Sequence, residues 1–275
     1  MPQGTKLGPI IFLIMVNDAA LSLENRWKYV DDLTVVEVVP KSQPPDLQPH
    51  IDTLVDWCNS NDMKPNPAKC KAMQFSFLRT PPPPLHLTIN GVQLEIVSSL
   101  KLLGLILQSD LRWDEQVKRL ISNSSRRLYI LTKLKRNGVP KSDLISVYQM
   151  YILPMLEYGA PVWSSSITQE QSQCLERVQR RALRIIAYPN LLSYDQLCCD
   201  FNIDTLSDRR NLIVTRFANS LLNSKRHRNM LPDTRLTTSG RTLRNSNHLN
   251  LPQTRTQRYK QSPIPTMIRA INDST

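Results

Sequence analysis

The sequence is poor in the residues that build common ligand sites. Its 275 residues include only seven glycines, which excludes a glycine-rich repeat or a collagen-like chain. Its five cysteines form no C-x-x-C pair, and its four histidines occur at no spacing typical of zinc ligands. An odd, scattered set of cysteines is typical of reduced thiols, so we expect a protein inside the cell, in the nucleus or the cytoplasm.

Long hydrophobic runs are also lacking. The strongest run, residues 7–16, is far short of the roughly 20 residues that a membrane span needs, so we expect no membrane-spanning segment. Lys6 precedes this run and Asp18-Ala19-Ala20 follow it. The core of a signal peptide is therefore an alternative interpretation, and it would make the protein secreted.

Acidic charge is scarce in the second part of the chain. Residues 1–110 hold nine basic and 11 acidic side chains, whereas residues 111–275 hold 26 basic and 12 acidic ones. A strongly basic segment attracts a polyanion, most simply nucleic acid and less often an anionic membrane surface. The 40% of hydrophobic residues provide enough apolar material for a packed core.

The chain begins with a run of loop residues, from Pro2 to Pro9, and continues with an apolar segment. Pro9 suits the first turn of a helix, where its missing N–H is not needed. The sequence therefore predicts a helix over residues 10–20. Because this helix is apolar on nearly all sides, we expect it to be buried.

Two adjacent aspartates, Asp31 and Asp32, lie between runs of β-branched and aromatic residues. This pattern predicts a strand, a tight turn and a second strand, with the aspartates at the tip. Neighbouring carboxylates repel each other unless a cation lies between them, and Mg²⁺ prefers such oxygen ligands. The alternative is an ordinary solvated turn, where aspartate is common.

Taken in order, these motifs resemble the reverse transcriptases of non-LTR (LINE-type) retrotransposons. The Pro2-Gln3-Gly4 loop and the apolar segment after it resemble the substrate-binding loop and helix of the polymerase palm, and Tyr29-Val30-Asp31-Asp32 resembles the catalytic hairpin. Residues 66–70 resemble the next palm motif, and residues 100–113 resemble the primer grip and the entry to the thumb. The resemblance covers most of residues 1–224.

The resemblance implies an RNA-directed DNA polymerase that adds deoxynucleoside triphosphates to a DNA primer on an RNA template. Such enzymes use two Mg²⁺ ions, with Mn²⁺ as a substitute. Asp31 would be the principal metal ligand and Asp32 its weaker neighbour, both counted as catalytic. Lys69 would be the general acid for pyrophosphate, with a plain surface lysine as the alternative. The resemblance also implies three substrate-binding residues: Gln3, Gly4 and Tyr29.

The family's first catalytic aspartate lies upstream of the Pro-Gln-Gly loop, at which this chain starts. We therefore expect the fingers and that part of the palm to be missing. The isolated chain would then be weakly active or inactive, and the missing N-terminal polymerase portion would be a partner.

Residues 1–110 are predicted to mix helix and sheet. Apolar residues at helical spacing predict a helix capped by Asp46. Alternating apolar residues predict strands over residues 72–77 and 98–107. Asn90-Gly91 between two alternating runs predicts a hairpin turn.

From Asp114 onward the apolar periodicity is helical. The signals that start, stop or kink the predicted helices are Asp114, Gly138, Ser142, Pro154 and the capping box of Thr168 with Gln171. A further helix is predicted over residues 208–223. Its expected inward residues are Ile213, Phe217 and Leu221, and its expected outward residues are Arg209, Arg210 and Arg216.

The helix after Thr168 carries four arginines at i, i+3, i+4 and i+7, which places their guanidinium groups on one face. These predicted nucleic-acid-binding residues are Arg177, Arg180, Arg181 and Arg184. Phosphates would relieve the repulsion between the guanidinium groups through charge-assisted hydrogen bonds. The alternative is a solvated face with extended arginines.

The predicted fold class is α+β. It comprises a partial polymerase palm over residues 1–110, an all-α thumb over residues 111–224 and a basic tail over residues 225–275. In the tail hydrophobic periodicity is lost, so we expect it to be poorly ordered. An alternative function is a non-catalytic nucleic-acid-binding remnant of a retrotransposon.

Overall fold

The computed structural model of the protein describes residues 7–21, 23, 25–40, 43–80, 82–190, 192–239 and 245–274. It mixes helices with small two-stranded sheets, as expected for the α+β class. The chain divides into two compact units, residues 1–100 and 101–275. None of the described helices is long and apolar enough to cross a membrane.

The described residues of the first unit form two helices and three two-stranded sheets. Its helices are α1 (Leu7–Met15) and α2 (Leu47–Ser60). Its strands are β1 (Arg26–Tyr29), β2 (Asp32–Val35), β3 (Lys71–Ala72), β4 (Thr88–Ile89), β5 (Val92–Gln93) and β6 (Glu95–Ile96). Pairs β1–β2 and β4–β5 are antiparallel, whereas β3 and β6 are parallel.

A small core forms where α2 packs on the strands. Buried Val55 of α2 lies with Ala72, Leu87, Ile89 and Leu94. The Gln48 side chain pairs with the backbone of Thr88, accepting from its N–H at 2.8 Å and donating to its carbonyl oxygen at 3.0 Å. The Asn90-Gly91 turn is confirmed, since both residues have positive φ between β4 and β5.

Three expectations for the first unit were wrong wholly or in part. Asp46 is the N-cap residue of α2, as predicted, but its side chain makes no capping bond. Only the start of the strand predicted over residues 72–77 forms, because β6 pairs with Lys71 and Ala72 alone and Phe75 and Phe77 are exposed. The apolar helix α1 is not buried, and no residue of it is in the core.

The second unit is mostly helical. Strands β7 (Ser99–Leu102) and β8 (Leu105–Gln108) form a hairpin that begins at the boundary between the units. The helices are α3 (Asp114–Arg136), α4 (Lys141–Val147), α5 (Leu153–Glu157), α6 (Ala160–Trp163), α7 (Gln169–Ala187), α8 (Tyr194–Asp200), α9 (Leu206–Asn223), α10 (Arg235–Ser239), α11 (Gln257–Lys260) and α12 (Pro263–Ser274). A π-helical segment, Tyr148–Ile152, joins α4 to α5, and a 3₁₀ turn spans Arg228–Met230.

The main core lies between α3 and α7, with the segment from α4 to α6 packed against both. The helix signals at Gly138 and at the Thr168–Gln171 capping box are confirmed. The apolar residues that recur at helical spacing along α7, from Leu175 to Ile186, are all buried. The irregularity predicted at Pro154 is also present, because the π-helical segment ends at Ile152, two residues before it.

A polar network crosses this core. The Tyr148 hydroxyl donates to Oε1 of fully buried Gln179 at 2.5 Å. Nε2 of Gln179 donates to the Tyr194 hydroxyl and to the Asp204 carbonyl oxygen, both at 2.9 Å. The Tyr194 hydroxyl in turn donates to Glu176. Because every buried polar atom of Gln179 has a partner, the network fixes how α7 meets its neighbours.

The region predicted as one strand over residues 98–107 is instead a hairpin. Leu103 and Gly104 both have positive φ and form its turn. The Tyr158 hydroxyl donates to the Leu103 carbonyl oxygen at 2.7 Å. A Cβ atom on Gly104 would lie 3.1 Å from the Tyr158 ring, so only glycine fits without a shift.

Leu221 of α9 is buried as predicted, but Phe217 is exposed, so the predicted orientation of the helix was wrong by about one residue. Its buried residues are Leu206, Arg210, Val214, Ala218 and Leu221. Arg210 is 3% exposed, and Nη2 donates to the Ser172 hydroxyl at 2.7 Å. Burial lowers the pKa of this guanidinium, against the opposing effect of Glu176.

The expectation of a poorly ordered tail was wrong for its last helix. Met267, Ile268 and Ile271 of α12 are buried against Val214, Ala218 and Leu221 of α9. The Asn272 side chain accepts a bond from the Leu249 N–H at 2.8 Å and returns one to its carbonyl oxygen at 3.1 Å. The tail does carry helical periodicity, over residues 264–271.

Candidate catalytic hairpin and nucleic-acid surface

The predicted hairpin around Asp31 and Asp32 is present. Strand β1 pairs with β2 so that Tyr29 lies opposite Asp32. Val30 and Asp31 form the two-residue turn between them. Val30 has φ of +57°, which is unusual for a β-branched residue and costs about 1–2 kcal/mol.

The two faces of β1 differ in exposure and in hydrogen bonding. Trp27 and Tyr29 lie on one face and are exposed. Arg26 and Lys28 lie on the other, where they donate to backbone carbonyls just after α1. The Lys28 ammonium contacts the carbonyl oxygens of Val16, Asn17 and Ala19. The hairpin is therefore attached by its side chains to the chain that leaves α1.

Both aspartates are exposed at the tip of the hairpin. Within the described part of the chain, neither carboxylate takes part in an ion pair. Two free carboxylates supply oxygen ligands of the type that Mg²⁺ takes together with substrate phosphates. The described residues contain no cluster of three or more metal-binding side chains. Asp31 and Asp32 are the residues that could hold part of a metal site.

The predicted substrate residues Gln3 and Gly4 and the predicted general acid Lys69 are not brought into one described site with the aspartates. Gln3 and Gly4 lie outside the described residues. Lys69 is exposed on a turn, and its backbone N–H donates to the Asn66 carbonyl oxygen at 3.1 Å. No ion pair among the described residues joins its ammonium to Asp31 or Asp32.

The arginine face of α7 is largely free, as its spacing predicts. Arg177, Arg181 and Arg184 are exposed. Arg180 is half-buried, and its guanidinium lies 5.0 Å from the centroid of the Tyr194 ring. Its Nε finds no hydrogen-bond partner among the described residues. An open cavity of about 520 Å³ lies beside Arg184 and exposed Tyr188.

Glu176 does not neutralise these arginines, although it is next to Arg177 in sequence. Its carboxylate accepts from the Ser207 N–H at 2.7 Å and the Leu206 N–H at 3.3 Å, at the start of α9. Negative charge at a helix N-terminus is stabilising. The Glu176 carboxylate is therefore bound by backbone N–H groups of α9, and the exposed face of α7 keeps its positive charge.

Two arginines of α9 that the sequence predicts on the outside contact other helices of the second unit instead. Arg209 forms an ion pair with Glu157, and Arg210 lies beneath the surface near Trp163. The i, i+4 series of Leu206, Arg210, Val214 and Ala218 is the signal that could have revealed the buried face.

Comparison with known proteins points to the same family as the hairpin motif. Residues 1–107 match the family model of the reverse transcriptase (RNA-dependent DNA polymerase). The match includes the hairpin with Asp31 and Asp32, and it supports the resemblance to reverse transcriptases.

A curated relative extends the similarity beyond residues 1–107. The chain is 24% identical over 245 residues to a protein of Drosophila melanogaster named probable RNA-directed DNA polymerase from transposon BS. The matched region covers 84% of this chain and 27% of that relative, so the chain spans about a quarter of its relative's length. No solved structure matches the chain significantly.

Proposed function

We propose that the chain is part of an RNA-directed DNA polymerase of a non-LTR retrotransposon. The observation that carries the proposal is the exposed Asp31–Asp32 turn within the segment that matches the reverse transcriptase family model. The name of the curated relative supports the same activity. Five free cysteines are in keeping with a place inside the cell, in the nucleus or the cytoplasm.

Asp31 and Asp32 are the residues that would hold Mg²⁺, or Mn²⁺ in its place. When bound, the metal supplies charge neutralisation for the primer hydroxyl and the nucleotide phosphates during nucleotidyl transfer by two metal ions. Asp31 lies in the turn itself and would be the main ligand, with Asp32 beside it. A third carboxylate is expected from another part of the polymerase, because two ligands from one turn cannot hold two metal ions alone.

The remaining side chains of the hairpin would orient the substrate. Tyr29 is exposed and shares a face of the hairpin with Asp32, its partner across the strands. Its ring offers a flat apolar surface against which the primer terminus would pack. Lys69 would give a proton to departing pyrophosphate, and Gln3 and Gly4 would line the nucleotide pocket.

The second unit would hold the primer–template duplex. Residues 111–224 correspond in this proposal to the thumb, residues 1–110 to the palm and residues 225–275 to a basic extension. Exposed Arg177, Arg181 and Arg184 provide three cations on one helix face, with Glu176 turned away. Phosphate contacts of this kind position nucleic acid without reading its sequence.

RNA-templated primer extension with Mg²⁺ tests the catalytic proposal. Asp31→Asn, introduced into the polymerase that contains this chain, is expected to lower the rate of extension about a thousandfold, since metal charge stabilisation contributes several kcal/mol. Asp62→Asn is the matched control, because Asp62 is also exposed and its φ of +54° suits asparagine. Unchanged extension by Asp31→Asn would refute the catalytic role.

The basic surface also favours a second candidate function, nucleic-acid binding without catalysis. The arginine face of α7 needs no metal to bind phosphates. If Asp31→Asn left extension unchanged while substitution of Arg177 and Arg181 abolished duplex binding, this second function would replace the first.

A further inference from the structure

A second basic surface lies on α3. After its first turn this helix carries only basic charge, because residues 116–136 contain no aspartate or glutamate. The seven basic residues are Lys118, Arg119, Arg126, Arg127, Lys133, Lys135 and Arg136. The helix buries Val117, Leu120, Leu128 and Leu131 against α7, so most of these charges face solvent. Lys135 turns back instead, donating to the Ile186 carbonyl oxygen at 3.3 Å, and half-buried Arg127 contacts the π-helical segment.

Tyr129 lies in the middle of this basic surface. Its side chain is 63% exposed, although it is one of the larger residues of the helix. The Lys133 ammonium, one turn further along, lies 5.3 Å from the centroid of the ring. An aromatic ring held beside a cation on an open surface provides an apolar face and a positive charge together.

A second ring lies beside α3 on the π-helical segment. The Arg127 guanidinium lies 4.0 Å from the centroid of the Tyr151 ring and also donates to the Tyr151 carbonyl oxygen. Arg127 therefore fixes this ring next to α3. Met150, adjacent to Tyr151, is 74% exposed and adds apolar surface at the same edge.

Helix geometry places the cations between the two rings. At about 100° per residue, Arg126 lies about 60° around α3 from Tyr129, on the side toward Arg127. Exposed Ile130 follows Arg126 in the same direction. We call the set of Arg126, Arg127, Tyr129, Ile130, Lys133 and Tyr151 the α3 strip. Around the helix, the α3 strip runs from the Tyr129 ring through the cation Arg126 and the apolar Ile130 to the Tyr151 ring.

This order matches the chemistry of single-stranded nucleic acid. Every base of a single strand offers a flat face that stacks on aromatic rings, while its phosphates pair with neighbouring cations. A regular duplex offers phosphates but hides its base faces within the stack. We propose that the α3 strip binds single-stranded nucleic acid, with bases stacked on Tyr129 and Tyr151 and phosphates at Arg126 and Lys133. The proposed binding requires neither metal nor catalysis, so it can be tested separately from the polymerase activity.

Fluorescence anisotropy with the full chain tests the proposal. The probes are a 12-nucleotide oligoadenylate RNA and a blunt RNA–DNA duplex of the same length. Tyr129→Leu is expected to raise Kd for the single strand about tenfold, and Tyr151→Leu to do the same. Neither change is expected to alter Kd for the duplex by more than about twofold, because phosphate contacts dominate duplex binding.

Two further variants control for folding and for the hydroxyl group. Tyr259→Leu removes an exposed tyrosine of the same unit from α11 and should leave both affinities unchanged. Tyr129→Phe keeps the ring and should retain the affinity of the original chain for oligoadenylate. If Tyr129→Phe loses affinity as strongly as Tyr129→Leu, or if Tyr129→Leu weakens duplex binding equally, stacking on this ring is refuted.

The salt dependence tests the phosphate contacts. Arg126→Gln is expected to reduce the slope of log Kd against log salt for the single strand by about 0.7, the value for one lost phosphate contact. An unchanged slope would refute the contact. Phosphatidylserine vesicles serve as a competing surface. If their binding depends on Tyr129 while oligoadenylate binding does not, the α3 strip is a membrane surface instead.

Discussion

The Lys28 ammonium nitrogen lies 2.7 Å from the carbonyl oxygen of Val16, one residue beyond the end of α1. The last carbonyls of a helix lack partners within the helix, and a lysine ammonium satisfies them well. Lys28 is two residues before Val30, the first residue of the turn that carries Asp31. The bond therefore joins the hairpin that carries Asp31 to the chain that leaves α1. Burial lowers the pKa of Lys28, Arg26 lowers it further, and Asp18 opposes both.

Lys28→Met is expected to loosen the end of α1. The variant keeps the length of the side chain but removes the donor to three carbonyl oxygens. Hydrogen exchange should become faster for the amides of residues 16–21, while α2 stays unchanged. Lys64→Met, at an exposed lysine of the same unit, should change neither region. Equal exchange in Lys28→Met and the original chain would show that these bonds do not hold the segment.

Val30→Gly is expected to stabilise the first unit by about 1 kcal/mol. Glycine accepts the φ of +57° without the strain that valine bears there, and the exposed valine side chain contributes little packing. Urea unfolding measures the change. Val36→Gly is the control, because this exposed valine follows β2 without a positive φ and its replacement should destabilise. A loss of stability in both variants would contradict strain at Val30.

The second unit is expected to lose stability in alkali through Tyr148. Burial, followed by the charge of Glu157, raises the pKa of its hydroxyl above the value of about 10 found in unfolded chains. Above pH 10 the unfolded chain releases this proton and the folded chain keeps it, so rising pH favours unfolding. Between pH 10 and 11 the contribution of this tyrosine to the loss is about 1 kcal/mol.

Urea unfolding of Tyr148→Phe at pH 8, 10 and 11 measures that contribution. The variant is less stable throughout, because Gln179 loses its donor, but its stability should fall less steeply between pH 10 and 11. Tyr129→Phe changes an exposed ring and should leave the slope as it was. A slope unaffected by Tyr148→Phe would mean that this hydroxyl ionises equally easily in both states.

Gly159→Ala is expected to destabilise the second unit by about 2 kcal/mol or more. Its φ is +64°, and an added Cβ would lie 2.8 Å from Cδ2 of Leu105, which packs against the main core. Gly138→Ala provides the comparison, because Gly138 has a φ of +77° with no atom near the added Cβ. Its cost should be about 1 kcal/mol, from the backbone alone. Thermal unfolding of the two variants separates backbone strain from steric conflict.

Local sequence signals predicted local structure well. The Asn90-Gly91 turn, the Thr168–Gln171 capping box and the hairpin at Asp31 depend on residues within a few positions of one another. Strand pairing depends on distant partners, and the alternating residues 72–77 remained mostly unpaired because β6 is only two residues long. The Ser193–Gln196 capping box of α8 carries the same local signal and could have been predicted in the same way.

Other features required knowledge of the packing. Arg210 was assigned to the surface because it is charged, yet it occupies an inward position of α9 and reaches Ser172. The free face of α7 was predictable from the spacing of its arginines, but the turning of Glu176 toward α9 was not. For the candidate site, the sequence located the two aspartates, whereas the attachment through Lys28 and Val16 depends on a fold that brings distant residues together.

The π-helical segment at Tyr148–Ile152 gives this helical region a tolerance for chain length. The Leu153 N–H reaches back to the Tyr148 carbonyl oxygen, so this turn holds one residue more than an α-helical turn. Deletion of exposed Met150 would turn this bond into an ordinary α-helical one, because its two ends would then be four residues apart. Leu153 and Leu156 would keep their places in the core, since the extra residue is accommodated within the segment. A deletion in a regular α-helical turn would instead rotate the residues after it by about 100°. The segment is therefore the place where this helical region tolerates the loss of one residue.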